Sequence, residues 1–268
     1  MNRIETDKLT RALEAVASEA AGLYPDEPLD YKGRCATHEG VLGIGKSAHC
    51  LDVLVATLQN TCGQKILDVG IAYGIYAVVL KRSFGFELFG IDHPENVEVY
   101  CRFPKEQGIT VLPCDVHFDS IPYEDRTFDT VIASEIVEHL LVSPKAFFSR
   151  IYPVLKPGGT LVVTTPNFAN LRNILYVAKG RNPAATFPDE ASWVDRIAKD
   201  VRVHPREYTC DEIGEALLAA GFKISTIYTT NNKCQPGARV RAKLLNKVMG
   251  AVPKRGERII AVGMKSVE

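Results

Sequence analysis

From Lys65 to the end of the chain, short apolar runs alternate with helical segments, and this alternation constrains the fold more than any other feature. A strand, a helix and a second strand in succession favour parallel β-α-β units, because the helix returns the chain to the same edge of the sheet. The sequence therefore predicts an α/β fold with a Rossmann-like, doubly wound and mostly parallel seven-stranded sheet. The predicted strands are Lys65–Val69, Phe86–Ile91, Thr110–Pro113, Thr127–Ala133, Thr160–Thr165, Lys223–Thr229 and Arg258–Met264.

Residues 1–62 precede this pattern, and we expect them to form an N-terminal helical cap or lid on one compact domain that spans residues 63–268. Apolar residues at helical spacing predict a helix over Glu5–Leu23, and Ser47 is expected to cap a second helix through Leu58. The other predicted helices are Gly74–Arg82, Glu95–Gln107, Pro144–Leu155, Asn167–Ala178, Ala191–Lys199, Thr209–Ala220 and Ala238–Met249.

The composition argues against several classes of protein. Of 268 residues, 46% are apolar and 24% are charged, which is ordinary for a globular protein. The 32 basic residues equal the 32 acidic residues, so we expect no nucleic-acid partner held by phosphate attraction. The seven cysteines have no C-x-x-C spacing, so neither a disulfide framework nor a thiolate zinc site is predicted. No apolar run is long enough to span a membrane, and we expect a cytoplasmic protein.

A glycine-containing turn follows the first predicted strand. Asp68 lies near the end of that strand, and Gly70, Ala72 and Gly74 follow in the turn before the next helix. Glycines at such a turn let a ligand approach the backbone where a Cβ atom would block it. A dinucleotide fingerprint would need glycine in place of Ala72, so the turn alone could also be a plain strand–helix connection.

Two further acidic residues follow the next two strands. Asp92 follows the second strand, where a carboxylate can bind both ribose hydroxyls, and Asp115 follows the third. With Asp68, these acids mark the ends of three successive strands, which is the edge where open α/β sheets bind ligands. This rim favours a polyhydroxylated ligand with a positive charge over a pyrophosphate.

These segments resemble the motifs of class I S-adenosylmethionine-dependent methyltransferases, and they occur in the same order. The resemblance covers about Gln64 to Lys265. The segments that carry it are Ile66–Gly74, Phe89–Asp92, Asp115, Phe128–Glu135 and Leu155–Leu161.

The resemblance implies a site for S-adenosylmethionine. It places the methionine portion at Asp68 and the glycine turn, the ribose at Asp92, and the adenine at Asp115 and the Val116 amide. Ala72 stands where glycine is commonest in the family, and we expect a modest loss of room there. The implied cofactor-binding residues are Asp68, Gly70, Ala72, Gly74, Asp92, His93, Asp115, Val116 and Ser134.

A second group of residues follows the fourth predicted strand. Glu135, Glu138 and His139 are spaced i, i+3 and i+4, which predicts that they share one face of a helix and point into the cleft. His204 follows much later in the chain. Two carboxylates and two imidazoles suit a divalent ion such as Mg²⁺ or Mn²⁺ with positions left open for substrate.

This Glu-x-x-Glu-His pattern with a distant histidine resembles the metal-dependent O-methyltransferases. They include small-RNA 3′-terminal 2′-O-methyltransferases and the O-methyltransferases of ubiquinone biosynthesis. The resemblance implies Glu135, Glu138, His139 and His204 as metal ligands and an acceptor with two neighbouring hydroxyls. In a metal-free enzyme, His139 would be the base, beside Glu138. Acidic residues at a helix N-terminus are also favoured by the macrodipole alone.

The leading functional prediction is an O-methyltransferase for a small molecule or glycan, with a sugar vicinal diol as the favoured acceptor. That preference comes from Thr165–Gly180 and His204–Thr209, which resemble methyltransferases of polysaccharide and secondary-metabolite clusters. The alternatives are a catechol or quinone-precursor O-methyltransferase, an RNA 2′-O-methyltransferase and a non-catalytic cofactor-binding protein. Residues 233–258 carry eight basic residues against one acid, which could be a solvated face or a contact for an anionic acceptor. The N-terminal helix could be a lid or a homodimer contact.

Overall fold

The computed structural model describes residues 3–24, 38–183, 204–231 and 252–267. Their strands are β1 (Lys65–Val69), β2 (Glu87–Asp92), β3 (Thr110–Pro113), β4 (Phe128–Ser134), β5 (Leu155–Pro166), β6 (Lys223–Thr230) and β7 (Arg258–Met264). These residues form one seven-stranded sheet in the order β3-β2-β1-β4-β5-β7-β6. All neighbouring pairs are parallel except those that β7 makes with β5 and β6. The predicted Rossmann-like fold class is confirmed.

Helices cover the sheet and the amino end of the described chain. They are α1 (Arg3–Ala21), α2 (His38–Gly45), α3 (Ala48–Asn60), α4 (Ile75–Phe84), α5 (Pro94–Val99), α6 (Arg102–Glu106), α7 (Pro144–Ile151), α8 (Leu171–Ala178) and α9 (Cys210–Ala219). The caps predicted at Ser47 and Thr209 are both formed, and Thr209 makes a full capping box with Glu212. The helices predicted over Ala191–Lys199 and Ala238–Met249 lie outside the described residues.

The single helix predicted over Glu95–Gln107 is wrong, because the chain breaks there into α5 and α6. A continuous helix would need the amide of residue 104 to donate to the carbonyl of Tyr100, and Pro104 has no amide hydrogen. The Tyr100 carbonyl instead accepts a hydrogen bond of 2.6 Å from the hydroxyl of Tyr24. The break therefore connects the segment between α5 and α6 to the chain just after α1.

The N-terminal helices share one hydrophobic core with the sheet domain. Leu13 of α1 and Leu54 of α3 belong to the same buried cluster as Ile66 of β1. On the surface, Arg82 of α4 forms two hydrogen bonds with the carboxylate of Glu19 in α1. No single described helix has the length and hydropathy to cross a membrane; only α2 and α3 together, bent by 48°, pass that test.

Candidate active site

A cavity of about 570 Å³ lies at the carboxyl ends of the central strands. The strand order reverses between β1 and β4, which is where open α/β sheets form their ligand crevice. Eight of the nine predicted cofactor-binding residues line this cavity. They are Gly70, Ala72, Gly74, Asp92, His93, Asp115, Val116 and Ser134.

Asp92 is fixed at the end of β2 by three hydrogen bonds from nearby groups. Its Oδ2 accepts from the amide of Ala72 at 2.8 Å, while Oδ1 accepts from the His93 amide at 2.8 Å and from Asn96 Nδ2 at 2.9 Å. Burial raises the pKa of Asp92, and these three donors oppose that shift. The carboxylate is thus held rigidly at the cavity wall, in the position that suits recognition of ribose hydroxyls.

Asp115 is held by the residue two positions later. Its Oδ1 accepts from the backbone amide of His117 at 3.0 Å and lies 2.8 Å from His117 Nδ1. Burial alone would raise the pKa of Asp115, but the His117 amide and ring outweigh it and the pKa is lowered. His93 Nε2 lies 3.9 Å from Asp115 Oδ2, so an imidazole stands on either side of this carboxylate.

The turn after β1 follows a left-handed backbone path. Gly70 has a φ of +73°, and a Cβ atom there would lie 2.2 Å from Ile136 Cδ1, so only glycine fits without a shift. Ala72 has a φ of 44°, which is uncommon for a residue with a side chain. The prediction of a modest loss of room at Ala72 concerned its methyl group; the structure shows that the backbone conformation is strained as well.

Asp68 differs from the other predicted cofactor-binding residues because it does not line the cavity. Its side chain is fully buried, and Oδ1 accepts a hydrogen bond of 2.7 Å from the Tyr76 hydroxyl. Oδ2 has no hydrogen-bond partner among the described residues. Burial raises the pKa of Asp68 to about 8. A buried carboxylate oxygen without a donor fits a cationic ligand group, such as the ammonium of S-adenosylmethionine, next to the turn.

The prediction that one helix carries Glu135, Glu138 and His139 on the same face is wrong. Glu135 has a φ of 53°, and only Val137–His139 form a short 3₁₀ turn. The amide of Glu135 donates instead to the carbonyl of Thr164 at 2.9 Å, which extends the pairing of β4 with β5 by one residue. This left-handed residue breaks the helical spacing that would have put Glu135, Glu138 and His139 on one face, although Glu135 and His139 both line the cavity.

Three of the four predicted metal ligands do come together. Single ligand atoms of Glu138, His139 and His204 all lie within 4.8 Å of one another, and the two imidazole rings meet edge to face. Glu138 Oε2 accepts from Thr165 Oγ1 at 2.8 Å, while the buried Oε1 has no hydrogen-bond partner among the described residues. Burial, and then the Glu135 carboxylate, raise the pKa of Glu138 well above its usual value. Of the three, only His139 lines the cavity.

Glu135 is not part of this cluster, which corrects the four-ligand prediction. Its Oε1 accepts from Arg258 Nε at 3.2 Å and from Thr164 Oγ1 at 3.2 Å, and it lies 3.7 Å from His49 Nδ1. Arg258 lies at the start of β7 and is only 12% exposed. Glu135 therefore lines the cavity, but its carboxylate is engaged in a partly buried ion pair with Arg258.

Several residues around Glu135 were not predicted from the sequence. His49 of α3 lines the wall, and its Nε2 lies 3.1 Å from Ser134 Oγ. Arg258 lies 3.4 Å from Asp52 Oδ2, so it connects α3 to the end of β4. These residues are far apart along the chain, and no spacing pattern links them.

The seven-stranded, mostly parallel sheet is the Rossmann-like fold found in methyltransferases. Residues 67–163 match the family model of a methyltransferase domain. A methyltransferase from Mesorhizobium loti has the same fold, with a TM-score of 0.55, 23% identity and coverage of 81% of this chain and 98% of that chain.

Curated relatives include enzymes named for two kinds of acceptor. Phosphoethanolamine N-methyltransferase 3 of Arabidopsis thaliana is 28% identical over 204 residues, which cover 74% of this chain and 35% of the relative. The mitochondrial ubiquinone biosynthesis O-methyltransferase of Homo sapiens is 32% identical over 161 residues, which cover 51% of this chain and 40% of the relative. The chain thus spans less than half the length of either protein.

Proposed function

We propose that the protein is an O-methyltransferase that transfers the methyl group of S-adenosylmethionine to a hydroxyl of a small molecule or glycan. The observation that carries this proposal is the position of His139. It lines the same cavity as eight predicted cofactor-binding residues and also belongs to the cluster with Glu138 and His204. Cofactor binding and activation of a hydroxyl can therefore share one cavity.

We further propose that Glu138, His139 and His204 hold a divalent ion such as Mg²⁺ or Mn²⁺. The unpartnered Oε1 of Glu138 supports this, because a buried carboxylate oxygen needs a cation or a donor. His204 Nδ1 is 3.0 Å from Glu207 Oε1, which is how ligating histidines are commonly oriented. When bound, such an ion lowers the pKa of a coordinated hydroxyl so that the oxygen becomes a better nucleophile. The protein residues orient that hydroxyl towards the methyl donor.

The proposed acceptor carries two neighbouring hydroxyls, because a diol can chelate an ion that the protein holds with only three side chains. A sugar vicinal diol is the acceptor predicted from the sequence. A catechol or quinone precursor is the second candidate, supported by the ubiquinone relatives and by the apolar residues Ile44, Ile136 and Leu140 in the cavity wall. The acceptor is a free small molecule or glycan in either case, and no nucleic-acid partner is needed.

The ion site is tested by calorimetric titration of Mg²⁺ and Mn²⁺ into metal-free protein with S-adenosylhomocysteine bound. Wild-type protein is expected to bind one ion per chain, and Glu138→Gln and His204→Ala are expected to weaken that binding by at least about 10-fold. His38→Ala serves as the matched histidine control, because His38 lies outside the cavity and contacts the Ala21 carbonyl. An ion that binds equally to all four proteins would overturn the assignment.

The acceptor class is tested with matched pairs of compounds and methyl transfer from labelled cofactor. A catechol is compared with the corresponding monophenol, a sugar with cis hydroxyls with its monodeoxy form, and phosphoethanolamine represents amine acceptors. Methylation of a diol but not of its single-hydroxyl partner would support the proposal. Methylation of the amine alone would contradict it.

A further inference from the structure

His49 and Ser134 form a polar pair on the cavity wall, and the cofactor-binding role predicted for Ser134 does not account for His49. Ser134 Oγ lies 3.1 Å from His49 Nε2, and both residues line the cavity beside Ile136 and His139. His49 Nδ1 is buried, has no hydrogen-bond partner among the described residues, and lies 3.7 Å from Glu135 Oε1. The order Ser134, His49, Glu135 is thus hydroxyl, imidazole, carboxylate.

The proposed reaction needs such a pair, because methylation of a neutral hydroxyl releases one proton. A histidine that ligates an ion through its lone pair cannot take that proton, so His139 is not available in a metal-bound enzyme. His93 and His117 also line the cavity, but both stand beside Asp115 at the adenine end. Of the four cavity-lining imidazoles in the described chain, His49 is therefore the one suited to accept the proton.

The charges behind His49 favour a proton there. Arg258 lies between the carboxylates of Asp52 and Glu135, at 3.4 Å and 3.2 Å, so this group carries one excess negative charge while His49 is neutral. A proton on His49 would balance that charge inside the protein. Burial lowers the pKa of His49, Glu135 partly opposes this and Arg258 adds to it, so the imidazole begins the reaction neutral.

The nearby carboxylate also selects the tautomer. Because Glu135 faces Nδ1, the ring hydrogen is more stable on Nδ1, which leaves the lone pair of Nε2 to accept from the Ser134 hydroxyl. Thr164 Oγ1 lies 2.9 Å from Ser134 Oγ and 3.2 Å from Glu135 Oε1. In this arrangement the Thr164 hydroxyl donates to Ser134 and not to the carboxylate, so the Ser134 hydrogen is left for His49. The pair is therefore arranged to pass a proton away from the cavity.

We propose that Ser134 and His49 remove the acceptor's proton: the acceptor hydroxyl donates to Ser134 Oγ while the Ser134 hydroxyl gives its own proton to His49 Nε2. This inference rests on the proposed function. The acceptor O–H bond and the methyl–sulfonium bond break, the oxygen–methyl bond forms, and the bonding pair of the C–S bond stays on sulfur as a thioether. The proton ends on His49 as an imidazolium beside Glu135. Ser134 touches the acceptor, and His49 acts through it.

The test begins with a measurement that needs no turnover. Nitrogen-15 spectra of histidine-labelled protein with S-adenosylhomocysteine bound are expected to show His49 neutral near pH 7.5 with its hydrogen on Nδ1. Ser134→Ala is expected to shift the Nε2 resonance. A hydrogen on Nε2, or a charged ring, would overturn the proposed path.

Kinetics then separate proton transfer from structure. His49→Gln keeps a polar contact with Ser134 but cannot accept a proton, so kcat is expected to fall about 100-fold with little change in KM, and the rise of rate with pH is expected to disappear. Added imidazole is expected to raise the rate of His49→Ala but not of His49→Gln, where the space is filled. His38→Gln, a histidine variant outside the cavity, is expected to keep wild-type rates and pH dependence.

The outcomes distinguish the two proposals. If wild-type protein binds the ion and methylates the acceptor, and both His49 variants react at the wild-type rate, the proton path is overturned while the proposed function stands. Wild-type activity in His49→Gln alone would also overturn the proton path, because His49 would then be only a structural contact. If wild-type protein methylates no hydroxyl acceptor, the proposed function fails, and the proton path fails with it.

Discussion

The carboxylates at the predicted cofactor end of the cavity are held by nearby backbone amides, whereas those at the other end are held by side chains from distant segments. Asp92 and Asp115 accept hydrogen bonds from the amides of His93 and His117, one and two residues further along the chain. Glu135, by contrast, accepts from Arg258 on β7. A local hydrogen-bonding pattern fixes the first end, while the second end exists only once the whole sheet has formed.

The largest expected effect concerns the end of the cavity at Asp92 and Asp115, where the hydrogen bonds are local. Asp92→Ala removes the acceptor of three internal hydrogen bonds and the proposed partner of the ribose, so affinity for S-adenosylhomocysteine is expected to fall by about 100-fold, on the basis of roughly 1.5–3 kcal/mol for each charged hydrogen bond. Calorimetric titration measures this. Glu98→Gln is the control, because Glu98 is exposed and lies outside the cavity. Affinity within a factor of about three of wild type would show that Asp92 does not contact the ligand.

The difference between the two ends also explains how far the sequence could predict the molecule. Strand–helix alternation gives the sheet, and acids that directly follow strands must lie at its carboxyl edge, so Asp92 and Asp115 were predictable. Glu135 was misplaced because its positive φ breaks the helical spacing on which the prediction rested. The pairings of His49 with Ser134 and of Arg258 with Glu135 connect residues 85 and 123 positions apart, and no local pattern encodes such contacts.

A second prediction separates the two glutamates that the sequence grouped together. Glu135→Gln weakens the partner of the partly buried Arg258 guanidinium, so the free energy of unfolding is expected to fall by about 1–3 kcal/mol. Ion affinity is expected to stay near the wild-type value, because Glu135 lies outside the Glu138 cluster.

Glu138→Gln is the matched variant, and its expected effects on ion affinity and stability are the reverse of those of Glu135→Gln. It is expected to lose the ion but to leave the stability of metal-free protein unchanged or higher, because a buried carboxylate with an unpartnered oxygen is removed. Denaturant unfolding and calorimetry on both variants measure the two properties. Loss of the ion in Glu135→Gln would restore the four-ligand site.

The smallest expected effect concerns Asp68, which was predicted to bind the cofactor but is fully buried and accepts a hydrogen bond from the Tyr76 hydroxyl. Its pKa of about 8 lies above the value of an unfolded aspartate, so between pH 7 and 9 the folded state holds a proton that the unfolded state has lost. Stability must then fall as pH rises, by about 1.4 kcal/mol across this window for a single group with that pKa.

Asp68→Asn, which cannot ionise, is expected to lack this slope. S-adenosylhomocysteine is expected to abolish it in wild type as well, because the ligand's ammonium would keep the carboxylate ionised. Denaturant unfolding at both pH values, with and without the ligand, measures the slope. If the slope persists when the ligand is saturating, Asp68 does not meet the ammonium group, and the orphaned oxygen behind Tyr76 belongs to the fold and not to the cofactor site.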